Sequence, residues 1–115
     1  MANTFKVVTK AGVTSADVIY TVAGSTTTVI LGLIIGNTTS SSVNATVTLG
    51  SDTGNRAGAN NESNQDVELI TSTPIPGNST LELLAGNKVV METTDTLSVT
   101  GSGAVDVALS IMEIT

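Results

Sequence analysis

The chain has no histidine, no cysteine and no tryptophan, one phenylalanine (Phe5), one tyrosine (Tyr20) and four basic residues among 115. Each shortage narrows what the molecule does. Without histidine it lacks the side chain that most often moves protons near neutral pH. Without cysteine it has no thiolate nucleophile, no soft metal ligand and no disulfide, so it is not a disulfide-stapled secreted scaffold. Aromatic platforms for sugars or bases are nearly missing. Only Lys6, Lys10, Arg56 and Lys88 could meet phosphates, and the formal net charge is −6. Nucleic acid and anionic membrane surfaces are therefore poor partners. The expectation is a protein that is not an enzyme, with no catalytic residues, no cofactor and no metal site. The acidic balance suits solubility at high copy number.

The length matches one domain over residues 1–115. Its core must come from Val, Ile, Leu and Ala. No linker or internal repeat divides it. The opening Met1-Ala2-Asn3-Thr4-Phe5-Lys6 shows no basic segment followed by an apolar stretch, so no signal peptide is expected. The most apolar run, Val29 to Gly36, is too short to cross a bilayer as a helix. A soluble protein made in a cytoplasm is the reading.

What the chain does contain is Thr, Ser, Gly, Asn and β-branched apolar residues. Restricted χ1 rotation costs these residues more in helices than in strands. No window sustains the apolar stripe of a helix. Short apolar or alternating runs recur between turn formers, which predicts an all-β fold, an antiparallel β-sandwich of jelly-roll-like character. Strands are expected at 5–9, 18–22, 27–36, 43–49, 67–71, 80–84, 88–92, 96–100 and 105–114. In the fourth, Val43, Ala45, Val47 and Leu49 share one face and Asn44, Thr46 and Thr48 the other. Pro74-Ile75-Pro76-Gly77-Asn78 reads as a rigid turn, and Ala85-Gly86-Asn87 and Gly101-Ser102-Gly103 as hairpin turns. Residues 50–65 read as the longest loop.

Several strings invite a chemical reading. Asp52-Thr53-Gly54 matches the turn that carries the catalytic carboxylate of aspartic proteases, where two carboxylates share one proton. Gly50-Ser51 before it and Asn55-Arg56 after it lack the anchoring apolar residues of that site. Asp52, Asn55, Asn60, Asn61, Glu62 and Asp66 offer oxygen ligands for calcium, without EF-hand spacing. Lys88, Glu92, Glu82 and Asp95 read as solvated rim charges. Thr26-Thr27-Thr28 and Ser40-Ser41-Ser42 lack the repeat of an ice-binding array. The run Val29-Ile30-Leu31-Gly32-Leu33-Ile34-Ile35 is apolar on both faces of a strand. It reads either as a central strand covered on both sides or as a strand whose Ile30 and Ile34 face a second subunit or a partner.

Four stretches together carry a resemblance. They are the opening Met1 to Lys6, the strand from Ser25 through Ile35-Gly36-Asn37, the turn Pro74-Ile75-Pro76-Gly77-Asn78 with the following Ser79-Thr80-Leu81-Glu82, and Asp95 to Thr100 followed by Ala104 to Ile114. The chain resembles the small β-sandwich virion proteins of tailed phages, especially those of marine and cyanobacterial hosts. The resemblance implies a non-enzymatic virion protein, first a capsid decoration or cement protein that binds the major capsid protein on the outer head. A tail, baseplate or fibre component is the alternative, and a small dimeric protease acting through Asp52 a third class. A homo-oligomer, with a trimer favoured, is expected. Phe5 and Val7 of the N-terminal segment, with Ile30 and Ile34, are the expected oligomer or capsid interface.

Overall fold

Turn formers at regular intervals cut the β-branched sequence into short strands, and nine strands result among the described residues. The computed structural model describes residues 2–52, 65–84 and 86–115. Its elements are β1 (Asn3–Val13), β2 (Asp17–Thr21), β3 (Thr27–Asn37), β4 (Val43–Ser51), β5 (Gln65–Ile75), β6 (Thr80–Leu83), β7 (Val89–Met91), β8 (Thr96–Gly101) and β9 (Val105–Ile114). Every expected strand is present, and β1 and β5 are longer than expected. β1 continues because a bulge between Lys10 and Val13 takes up extra residues, with Gly12 in the left-handed region at φ 67°. β5 continues through Pro74 because it is an edge strand, where a missing N–H is harmless.

The pairing is that of one long hairpin rolled on itself. β1 pairs β9, β2 pairs β8, β3 pairs β6 and β7, and β4 pairs β5, all antiparallel. Rolling brings β9 against β3 and β8 against β4. Two sheets result, one in the order β1-β9-β3-β6 with β7 also on β3, the other β2-β8-β4-β5. This is the jelly-roll order.

Two turns differ from expectation. β6 and β7 both pair with β3, at Leu33–Gly36 and Thr28–Ile30 respectively. They are one interrupted edge strand, so the segment at Gly86-Asn87 closes no hairpin. Gly101-Ser102-Gly103 is a corner, since β8 and β9 belong to different sheets. A Cβ on Gly101 would stand 2.8 Å from the Val13 carbonyl oxygen, which accounts for glycine there. The expected loop 50–65 begins later and ends earlier: Gly50 pairs with Asp66 and Ser51 with Gln65. Asn55, Asn60, Asn61 and Glu62, and Thr53-Gly54 of the Asp52 string, lie outside the described residues.

The core lies between the sheets. β9 supplies Val105, Val107, Leu109 and Ile111, and the facing sheet supplies Val47, Leu97 and Val99, all buried. Each such side chain stabilises the fold by about 1.5–3 kcal/mol relative to exposure. Alternation along β3 breaks once. Thr28 and Ile30 are buried, and so are Leu33, Ile35 and Asn37, which switches the inward set from even to odd numbers. The cause is a β-bulge between Ile30 and Gly32, opposite Ile111 and Ser110 of β9. A strand keeps a period of two only while its register holds. Ile30 therefore faces the core at 0% exposure, while Ile34 points outward at 46%. The expected interface set loses Ile30 for that reason.

Candidate interface

The two outer faces of the sandwich differ in chemistry. On the β2-β8-β4-β5 sheet, the positions opposite the inward Val47, Val99 and Leu97 are Thr46 paired with Thr100, and Thr48 paired with Ser98. That face is largely hydroxyl. On the other sheet the outward positions include Phe5 and Val7 of β1, Met112 and Ala108 of β9, Val29 and Ile34 of β3, and Val90 of β7, interspersed with Thr9, Glu82, Asp106 and Ser110. Phe5 is 69% exposed, Val7 63% and Val90 53%. Among the described residues, four of the six large exposed apolar side chains thus share one face, the fourth being Ile34. Apolar side chains gathered on one face of a soluble molecule mark a contact surface.

The structure brings Phe5, Val7 and Ile34 together. Val7 lies opposite Ser110 on β9, and Ile34 opposite Ala108 on the other side of the same strand. Sequence reasoning missed Val90, although its strand was expected, because edge and face cannot be told from three residues. Beside Ile34 an open groove of about 370 Å³ runs between Thr9, Gly36 and Ala108. Its floor is low because Gly36 and Ala108 have little or no side chain.

β1 is the exception within this sheet. Its inward positions Thr4, Lys6 and Lys10 are exposed too, and only Val8 and Val13 are covered. Lys6 reaches Glu113 with Nζ 2.6 Å from Oε1. The Tyr20 hydroxyl, coming from the opposite sheet, donates to Glu113 Oε2 at 2.6 Å and lies 2.8 Å from Thr28 Oγ1. This polar group closes one end of the sandwich. Lys6, and after it the Tyr20 hydroxyl, holds the Glu113 carboxyl below its ordinary value. Burial, then the bond to Glu113, pushes the Tyr20 hydroxyl up to about 12.

Asp95 corrects another expectation. Among the expected rim charges it is fully buried. Oδ1 accepts the Asp52 N–H at 2.9 Å and Oδ2 the Glu92 N–H at 3.0 Å. It ties the end of β4 to the turn before β8, and a carboxylate accepting backbone N–H groups is a structural device as readily as a catalytic one. Asp52 is exposed. Thr26 and Thr28 are buried, so that threonine run is not a surface array. Among the described residues no group of three or more Asp or Glu is placed to hold a metal ion.

No protein-family model and no curated protein sequence matches the chain. A solved structure described by the words "Bacillus endospore appendages form a novel family of disulfide-linked pili" aligns with 97% of this chain and 84% of its own. The TM-score is 0.49 and the identity 13%. A likeness at this level carries neither a function nor a family to this chain.

Proposed function

We propose that this chain is a non-enzymatic structural subunit of a virus particle, and first a decoration or cement protein on the outer head of a tailed phage. The observation that carries the proposal is the contrast between the outer faces. One carries the exposed Phe5, Val7, Ile34 and Val90 among polar positions, and on the other threonine and serine predominate, with Val18 the large exposed apolar side chain described there. A subunit that lies on a shell needs one face to bury and one to leave in water. The jelly-roll order and the lack of histidine and cysteine agree with that role.

In this reading the apolar face covers junctions between major capsid subunits. Binding the assembled shell and not its free subunits stabilises the shell by mass action. The chain is made in the host cytoplasm and is a trimer on the particle. Immunogold microscopy of virus particles, with antibody raised against the chain, tests this. Label spread over the head is the expected result. Label confined to the tail or its tip makes the chain a fibre or baseplate part, and unlabelled particles overturn the virion role.

A further inference from the structure

β1 and β5 are built alike and oppositely charged. Each has 11 residues, each ends a sheet, and each is exposed over most of its length. They stand at opposite ends of the molecule, since β1 contacts β2, which is the strand farthest from β5 in the second sheet. β1 carries Lys6 and Lys10 and no acid. β5 carries Asp66 and Glu68 and no base.

The β1 edge is open to a further strand. Ala2 and Thr115 exchange both backbone bonds, at 3.2 and 3.0 Å. Alternation then turns the main chain of Thr4, Lys6 and Val8 toward β9, and that of Asn3, Phe5, Val7 and Thr9 toward the free edge. Lysines often guard such edges. Here they lean back over the molecule, Lys6 to Glu113 at 2.6 Å and Lys10 toward Asp17 at 3.8 Å. On β5 the pairing with β4 is regular over residues 65–68, shifts twice between residues 68 and 73, and is regular again over 73–75, where Pro74 lies. Only the acidic part of that edge is suited to accept a strand.

We propose that copies of this chain join head to tail, with the open edge of β1 in one copy adding to residues 65–68 of β5 in the next. Copies set side by side in one orientation bring the first sheet of one to the second sheet of its neighbour. The outer face of β1 then continues into the inner face of β5. Val67 lies on that inner face, opposite Leu49, and is 48% exposed. Phe5 and Val7 therefore meet Val67. On the other side of the joined sheet Lys6 meets Asp66 and Glu68. Setting Val67 beside Phe5 brings Lys6 opposite Glu68, and setting it beside Val7 brings Lys6 opposite Asp66. The ammonium has three donors, enough for Glu113 and a second carboxylate. Pairing β1 with β1 or β5 with β5 would gather like charges at the seam, which is unfavourable. A head-to-tail contact closes into a ring when each step turns and extends into a filament when it does not. Steps that keep one orientation extend into a filament, whereas the expected trimer needs a turn of a third of a revolution at each step. The contact goes beyond the virion reading and does not depend on it.

Light scattering on the purified full chain over a concentration series tests the contact. Wild type should have a mass of three or more times 11.5 kDa. Val7→Pro removes a main-chain donor that faces the open edge and leaves the bonds to β9 in place, so it should be monomeric. The double change Asp66→Lys with Glu68→Lys should be monomeric for the complementary reason. Mixed, the two variants retain one working edge each and should form a one-to-one dimer that grows no further. A monomeric wild type overturns the proposal. So does an assembly that survives the lysine changes, since that is β1–β1 pairing, and so does a mixture that stays monomeric. If Val7→Pro does not fold, Lys6→Glu takes its place: it should also be monomeric, and combining it with the two lysine changes should restore assembly.

Discussion

At the scale of single residues, buried polar groups carry much of the specification. Asn37 ends β3 with 3% exposure. Its Nδ2 reaches the carbonyl oxygens of Ser41, Ile75 and Pro76 at 2.8, 2.9 and 3.2 Å, and its Oδ1 accepts the N–H and hydroxyl of Thr39. One amide thus holds the β3–β4 loop to the β5–β6 turn. Asn37→Asp removes the donors and sets a carboxylate against carbonyl oxygens. A loss of about 1–3 kcal/mol follows from leaving buried acceptors unpaired, read as a lower urea midpoint with an unchanged slope. Glu113 makes a second residue-scale prediction. Its folded pKa lies below its unfolded one, so its contribution is present above the ordinary value of 4.5 and is lost as pH falls toward the lower folded value. Glu113→Gln should flatten the acid side of the stability profile. Tyr20 acts with the opposite sign: its folded pKa is raised from 10.0 to about 12. Its contribution is present below pH 10.0 and is lost as pH rises through about 12. Tyr20→Phe should flatten the alkaline side.

At the scale of elements, the bulge in β3 decides which residues are available for contact. The alternation in β4 and β9 is legible in sequence because nothing interrupts it, and their inward sets are those read from period two. β3 is apolar at nearly every position, so its pattern contains no mark of where register slips. Leu31 is the extra residue of that bulge, between Ile30 opposite Ile111 and Gly32 opposite Ser110. Deleting it should let alternation run uninterrupted with Ile30, Leu33 and Ile35 still inward and Ile34 still outward. Thermal unfolding should show a midpoint close to that of wild type, and loss of the fold would contradict this account of the bulge. The hairpin turns read at residues 85–87 and 101–103 failed for a related reason. A turn signal marks where a strand ends and not which sheet the next strand joins.

At the scale of the whole molecule, the contrast between faces separates stability from assembly. Ile30 and Ile34 are four residues apart and chemically identical, yet one has 0% exposure and the other 46%. Ile30→Ala should cost about 2–5 kcal/mol, as large-to-small changes in a core do. Ile34→Lys should leave the unfolding midpoint nearly unchanged and weaken binding to assembled particles. Calorimetry with a co-sedimentation assay checks both together. Equal unfolding losses in the two variants would contradict the assigned faces.

The sequence by itself determined that the protein is all-β, where its strands lie, and that its core is aliphatic, because β-branched content, turn residues and alternation are local properties of the chain. Of the expected interface residues Phe5, Val7, Ile30 and Ile34, all but Ile30 are exposed. Only the tertiary structure decided that β6 and β7 are one broken strand, that Asp95 is buried, and that Ile30 faces inward. Those depend on which strands become neighbours and on a single bulge in register. Neighbours are chosen by the free energy of closing the whole sandwich, a sum over pairs distant in sequence that no local window contains.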